Sequence, residues 1–164
     1  MSKSLEQSLL DGDFSAIEAA FVSDSHGQSG ISKVIDDPTT SQEVIEEALT
    51  CASFLGANPI VRLLIDRQVN PQGGNRTGSD ALHWAANRGN LETVQILLSN
   101  GASFNTINRF GGTVLEATIW SAMNEPHPNH LQIIRELLKA GANLQTEYPQ
   151  TSRDIRAIFE EFEK

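Results

Sequence analysis

His83, Trp84 and Arg88 fall within six residues of one another in the stretch SDALHWAANRGN, residues 79–90. Histidine can move a proton near neutral pH, tryptophan can stack a ring, and arginine can hold an anion. A catalytic reading needs a nucleophile and an orienting partner that converge on the imidazole. Asp80, three residues before His83, instead suits a helix cap with a charge-assisted bond to the ring, which is turn chemistry. A second candidate is the H-x-x-H spacing of His127 and His130 near Glu125. Pro128 breaks the helix that would align the two rings, and no third metal ligand stands nearby. Cys51 is the single cysteine, without an adjacent cation to activate it, and reads as a small buried side chain. No glycine-rich phosphate loop opens a helix; Gly73-Gly74 and Gly111-Gly112 sit in connecting loops. The expectation is therefore no catalytic residue, no cofactor and no metal, with a metal-dependent enzyme as a remote alternative.

The elements that would carry these residues come from a repeat. Ala48 and Leu49 recur 33 residues later as Ala81 and Leu82, Gly56 as Gly89, and Val61 as Val94. The same step carries Leu82 to Leu115, and Cys51 falls on Trp84, beside His83 rather than opposite it. The helix LQIIRELLKAGAN then repeats LETVQILLSNGAS after 40 residues, so seven extra residues lie between Trp120 and Leu131, in the proline-containing NEPHPNH. Each unit reads as helix, glycine stop, second helix, glycine stop and loop, and one such unit cannot bury its own apolar face.

The ends differ from the repeat. Residues 4–11 and 14–22 form a short helix pair around Gly12-Asp13, with Leu5, Leu9, Leu10, Ile17, Ala20 and Phe21 available for burial. About eleven extra residues sit between this pair and the next unit. The polar run SDSHGQSGISKVIDDPTT is expected to hold them as loop. Thr40 with Glu43 has capping-box spacing for the next helix, and Asn58-Pro59 starts another. Residues 152–163 make a closing amphipathic helix, with Ile155, Ile158, Phe159 and Phe162 facing inward and Glu160, Glu161, Glu163 and Lys164 outward.

These units resemble the ankyrin repeat. Ser79-Asp80-Ala81-Leu82-His83 stands at the family's turn motif, and Ala85-Ala86, Gly89–Glu92 and Leu97-Leu98-x-x-Gly101-Ala102 match the rest of its pattern. The resemblance implies an all-α solenoid of helix–turn–helix units with irregular N- and C-terminal caps. On that reading residues 1–40 are a helical cap with an inserted loop. Residues 41–74, 75–107 and 108–147 are repeats, and 148–164 hold a capping helix. The resemblance also implies turn support from His83 and packing between repeats for Trp84.

The concave side of such a stack, made of loop tips and the ends of first helices, usually takes partners. Carried over, that gives Arg76, Thr77, Ser79, Arg109, Phe110 and Gly112 from the loops, and Phe54, Leu55, Asn87, Arg88, Trp120 and Ser121 from the helix ends. Phe54, Leu55 and Trp120 are large and apolar where the core does not demand it, with Arg76, Arg88 and Arg109 around them. Self-covering is the competing expectation: loop 24–40 over Phe54 and Leu55, and the insertion over Trp120.

Composition agrees with a binding role. The 164 residues carry a formal net charge of −9, which disfavours nucleic acid and anionic membrane surfaces. The first seventy residues hold eleven acids against four bases. No apolar run approaches the roughly 18 residues of a bilayer span, and the N-terminus lacks the apolar core of a signal peptide. The expected protein is a cytoplasmic monomer that binds another, unidentified protein as adaptor or regulator. The alternative is an inhibitor or immunity-type protein that blocks an enzyme or toxin.

Overall fold

The computed structural model describes residues 3–22, 29–144 and 151–162, and every regular element among them is helical. Residues 24–28 of the expected inserted loop, with Glu163 and Lys164, lie outside the described residues. The cap is α1 (Leu5–Asp11) and α2 (Phe14–Ile17). Ser4 and Asp13 cap them by accepting from the amides of Gln7 and Ala16. The second helix of the pair is shorter than its pattern suggests and tightens into a 3-10 turn over Glu18–Phe21.

Residues 30–36, expected as loop, form α3 (Gly30–Asp36). Ile31 and Ile35, one turn apart, are buried and outweigh the polar residues around them. Helix α4 (Gln42–Leu55) comes next, and its cap is Ser41 rather than Thr40. Ser41 Oγ accepts from the Val44 amide, while the Thr40 hydroxyl donates to the Val34 carbonyl 2.8 Å away. Three consecutive hydroxyl residues could each cap here, and the side chain nearest the helix takes the role.

The remaining pairs are α4 with α5 (Asn58–Asp66), α6 (Ala81–Asn87) with α7 (Leu91–Ser99), and α8 (Val114–Asn124) with α9 (His130–Lys139). Helices α4, α6 and α8 pack side by side as one layer, and α5, α7 and α9 as the other. Ala48, Ala52, Ala81, Ala85 and Ala86 are buried between them, so small side chains let the helices approach closely. Larger side chains, Leu49, Leu64, Leu82, Leu97, Leu115 and Leu137, fill the space between layers. Closing helix α10 (Arg153–Phe162) packs on α9 through Ile155 and Ile158. Phe162, expected inward, is 40% exposed because it lies at the helix end, beyond the last buried turn.

Two positions of each repeat clamp the loop that follows its helix pair. Thr50 donates to the Gly74 carbonyl, and His83, one repeat on, places Nε2 3.3 Å from the Gly112 carbonyl oxygen. Glu47 Oε1 accepts from the Arg76 amide at 2.7 Å, and Asp80 Oδ2 accepts from the Thr106 hydroxyl at 2.6 Å. These bonds set where each loop tip stands relative to the helix layer it overhangs.

Candidate functional site

The face formed by α4, α6, α8 and their loops holds a groove of about 480 Å³ between α6 and α8. One wall is Ser79, His83, Trp84 and Asn87, a single stripe at and before α6. The opposite wall is Gly112, Glu116, Ala117 and Trp120, and each stands 33 residues after its counterpart. Asn108 and Phe110 complete it from the loop tip.

The groove exists because Ala117 occupies the position held one repeat earlier by Trp84. A small floor residue leaves the space that an indole would fill. Trp120 and Phe110 border it with 53% and 81% of their surfaces exposed. The NEPHPNH insertion does not cover Trp120. It folds onto the α6–α7 turn instead: Asn129 Nδ2 donates to the Gly89 carbonyl at 2.9 Å, and His130 Nε2 lies 2.9 Å from the Asn87 carbonyl oxygen. His130 Nδ1 accepts from the His127 amide at 3.0 Å, so Nε2 carries the proton and donates. Burial, with His127 nearby, holds the His130 pKa below its ordinary value although the bond to Asn87 opposes this. Gly89 has φ +74°, and a side chain there would run into the His127 ring.

Phe110 stands on a stiff turn. Asn108 Oδ1 accepts from the amides of Phe110 and Gly112 at 3.0 and 3.1 Å, and the Asn108 amide donates to the Gly112 carbonyl at 3.0 Å. The Arg109 amide donates to the Gly78 carbonyl at 2.8 Å and ties this tip to the preceding one. The Arg109 guanidinium lies 4.9 Å from the Phe110 ring centroid. Asn87 crosses the floor by donating to Ser121 Oγ at 2.6 Å. An exposed aromatic held this way loses little freedom on contact.

The other expected binding residues are placed differently. Phe54 stacks on Phe14 with centroids 3.7 Å apart, and both rings meet Trp84 edge-on at 5.3 Å. Its cover comes from α2, and Arg88 lies over it, 4.8 Å from its centroid. Leu55 is half-buried beside it. Arg76 pairs with Glu43 at 2.7 Å and donates to the Leu10 carbonyl at 3.0 Å, which fastens the cap to the stack. Thr77 accepts from the Trp84 indole N–H at 2.8 Å. Ser79, Asn87, Phe110, Gly112 and Trp120 line the groove; Arg109 stands beside it, Ser121 lies beneath it, and Arg88 stands just past Asn87.

Three lining residues, Ala117, Asn108 and Glu116, are not singled out by the sequence. The 33-residue alignment carries their signal, since Ala117 is the small residue in the series Cys51, Trp84, Ala117.

The chemistry-bearing residues are occupied in scaffold bonds. His83 lies against Asp80 at 2.9 Å, and Asp80 also accepts from the His83 amide at 3.0 Å and from Thr106. Burial is the largest influence on Asp80 and pushes its pKa up. The bonds to His83 and Thr106 outweigh it, so the carboxyl sits below its ordinary value. Cys51 is fully buried, 4.0 Å from the Leu9 carbonyl oxygen, and burial beside Glu47 pushes its thiol far up. Among the described residues no three metal-ligating side chains gather, and no helix is long and apolar enough to cross a membrane.

Comparison with known proteins agrees with the repeat. A family model described as ankyrin repeats in three copies matches residues 26–108 and again 49–148. A 58-residue stretch is 41% identical to the ankyrin repeat and KH domain-containing protein mask of Drosophila melanogaster. That match covers 35% of this chain and only 1% of the fly protein. Among solved structures, an ankyrin repeat domain from Acinetobacter baumannii AYE superposes with a TM-score of 0.61. It covers 97% of each chain at 23% sequence identity, a likeness of fold.

Proposed function

The chain belongs to the ankyrin-repeat family, and we propose that it is a non-enzymatic module that binds another protein in the groove between α6 and α8. Ankyrin repeats are generally protein–protein interaction modules, and the family is typically without enzymatic activity. One observation carries the placement. Trp120 and Phe110 are large, exposed and held at the rim of a groove that no other described side chain fills. Aromatic side chains at the edge of a concave apolar surface are characteristic anchors of an interface.

The binding set expected from the repeat narrows accordingly to Ser79, Asn87, Phe110, Gly112 and Trp120, flanked by Arg109, while Arg88 lies over Phe54. Phe54, Arg76 and Thr77 serve the stack. Acting as a cytoplasmic monomer, the module would be an adaptor or a blocker of an enzyme. The acidic first seventy residues would speed capture of a basic target, which favours the blocker slightly. Affinity capture with the native chain and the Trp120→Ala variant tests the placement. A protein retained by the native chain and lost from the variant supports it; identical captures overturn it.

A further inference from the structure

Resting on the groove as the binding face, we propose that its occupant is one aromatic side chain of the partner that carries a hydrogen-bond donor, a tryptophan or a tyrosine, with the donor on Asn87 Oδ1. The neighbouring seam supplies the precedent. Phe14 enters the α4–α6 seam from the cap, outside the repeat, and lies flat on Phe54 with an interplanar angle of 6°, while Trp84 meets it edge-on. Trp84 also lines the α6–α8 groove, so the open site continues the seat that Phe14 occupies. The large apolar side chains of the groove are again aromatic, Trp84, Trp120 and Phe110. Rings favour such walls, because edge-to-face and offset contacts add to the area buried. An aliphatic side chain gains only the area.

The repeat also shows how the two seats differ. Phe54, Asn87 and Trp120 stand 33 residues apart at one repeat position. Where the closed seam presents a ring to its occupant, the open one presents the side-chain amide of Asn87. A chain of bonds fixes the orientation of that amide. The Ser121 hydroxyl donates to the Ala117 carbonyl at 2.9 Å, so Ser121 Oγ is left to accept, and Asn87 Nδ2 donates to it at 2.6 Å. Asn87 Oδ1 therefore remains an acceptor, and it has no donor among the described residues.

A phenylalanine seated as Phe14 is would cover that oxygen without pairing it, and a buried acceptor left unpaired is costly. An indole N–H or a phenol O–H pairs it. At the loop tip Asn108 has used its oxygen on the amides of Phe110 and Gly112. Its own N–H groups suit a main-chain carbonyl of the segment that bears the ring.

Panning a library of random dodecapeptides on phage against the wild-type chain and, in parallel, Ala117→Trp tests this. The expected wild-type pool shares one tryptophan or tyrosine that the Ala117→Trp pool lacks. In a synthetic peptide from it, changing that residue to phenylalanine should weaken binding about tenfold, and changing it to leucine should weaken it further. On Asn87→Ala the change to phenylalanine should cost less than about twofold, a coupling that a merely structural Asn87 would not produce. A second reading needs no variant. The chain has two tryptophans, and in a nitrogen-15 spectrum the peptide should shift the indole N–H of Trp120 and the side-chain amide of Asn87. Peptides that shift Trp120 but anchor through aliphatic residues, or lose equally to phenylalanine on both chains, overturn the aromatic-donor inference and leave the groove as the binding face. An empty wild-type pool, or pools that do not distinguish wild type from Ala117→Trp, overturn both.

Discussion

The seam between α4 and α6 and the seam between α6 and α8 are built from the same repeat positions and end in opposite states. In the first, Phe54 meets Trp84, and Phe14 from the cap stacks on Phe54. In the second, the matching positions are Asn87 against Ala117, with Trp120 within α8 and, among the described residues, no ring laid over it. Side-chain volume at two positions, Phe54 against Asn87 and Trp84 against Ala117, with an aromatic supplied from outside the repeat, separates the closed seam from the open one.

The largest expected effect separates these two roles. Phe14→Ala removes the ring that closes the first seam and should lower unfolding free energy by about 2–3 kcal/mol. At about 2–4 °C per kcal/mol for a chain of this size, the melting temperature should fall by several degrees. Trp120→Ala removes a ring of similar size from the open seam. Urea titration should place it within about 0.5 kcal/mol of wild type, while partner affinity falls by about 2 kcal/mol. Equal losses of stability from the two substitutions would erase the distinction between the seams.

Glu47 and Asp80 extend the contrast, because they occupy one repeat position with carboxyls shifted in opposite directions. Asp80 is held below its ordinary pKa in the fold, so its carboxylate stabilises above the unfolded pKa, near 4. That contribution is lost as pH falls through the folded value. Asp80→Asn should cost about 1–2 kcal/mol at pH 7, and the difference from wild type should shrink in acid. Burial raises Glu47, against the opposing bond from the Arg76 amide, and its Oε2 has no hydrogen-bond partner among the described residues. Its folded pKa lies above the unfolded one, so its stability contribution is present below the unfolded pKa and lost as pH rises through the folded value. Glu47→Gln should therefore raise the melting temperature slightly at pH 7, by the equivalent of under about 1 kcal/mol, and change nothing near pH 3. A stability loss at pH 7 would contradict the sign.

Much of this architecture is legible in the amino-acid order alone. The 33-residue period, the alanines and the glycine stops specify the two helix layers, because each records a packing or backbone constraint within one repeat. Asp80 as cap and partner of His83 comes from a spacing of three residues. Contacts between distant segments are not legible in the same way. Phe14 covers Phe54 from forty residues away, and no local periodicity announces that stack. Helix α3 is hidden because its apolar signal is only Ile31, Val34 and Ile35 within a polar run. The groove is half visible: Trp120 stands out by its size, whereas the depth depends on Ala117, a residue that attracts no notice until set beside Trp84.

The position shared by Trp84 and Ala117 therefore offers the most decisive measurement. Ala117→Trp should place in the open seam the side chain that closes its neighbour. Calorimetric titration with a peptide selected on the wild-type chain, together with thermal unfolding of the same sample, reads both consequences. The expected result is cooperative unfolding near the wild-type temperature and no detectable peptide binding. A folded Ala117→Trp chain that binds the peptide as wild type does would show that the groove between α6 and α8 is not the binding site.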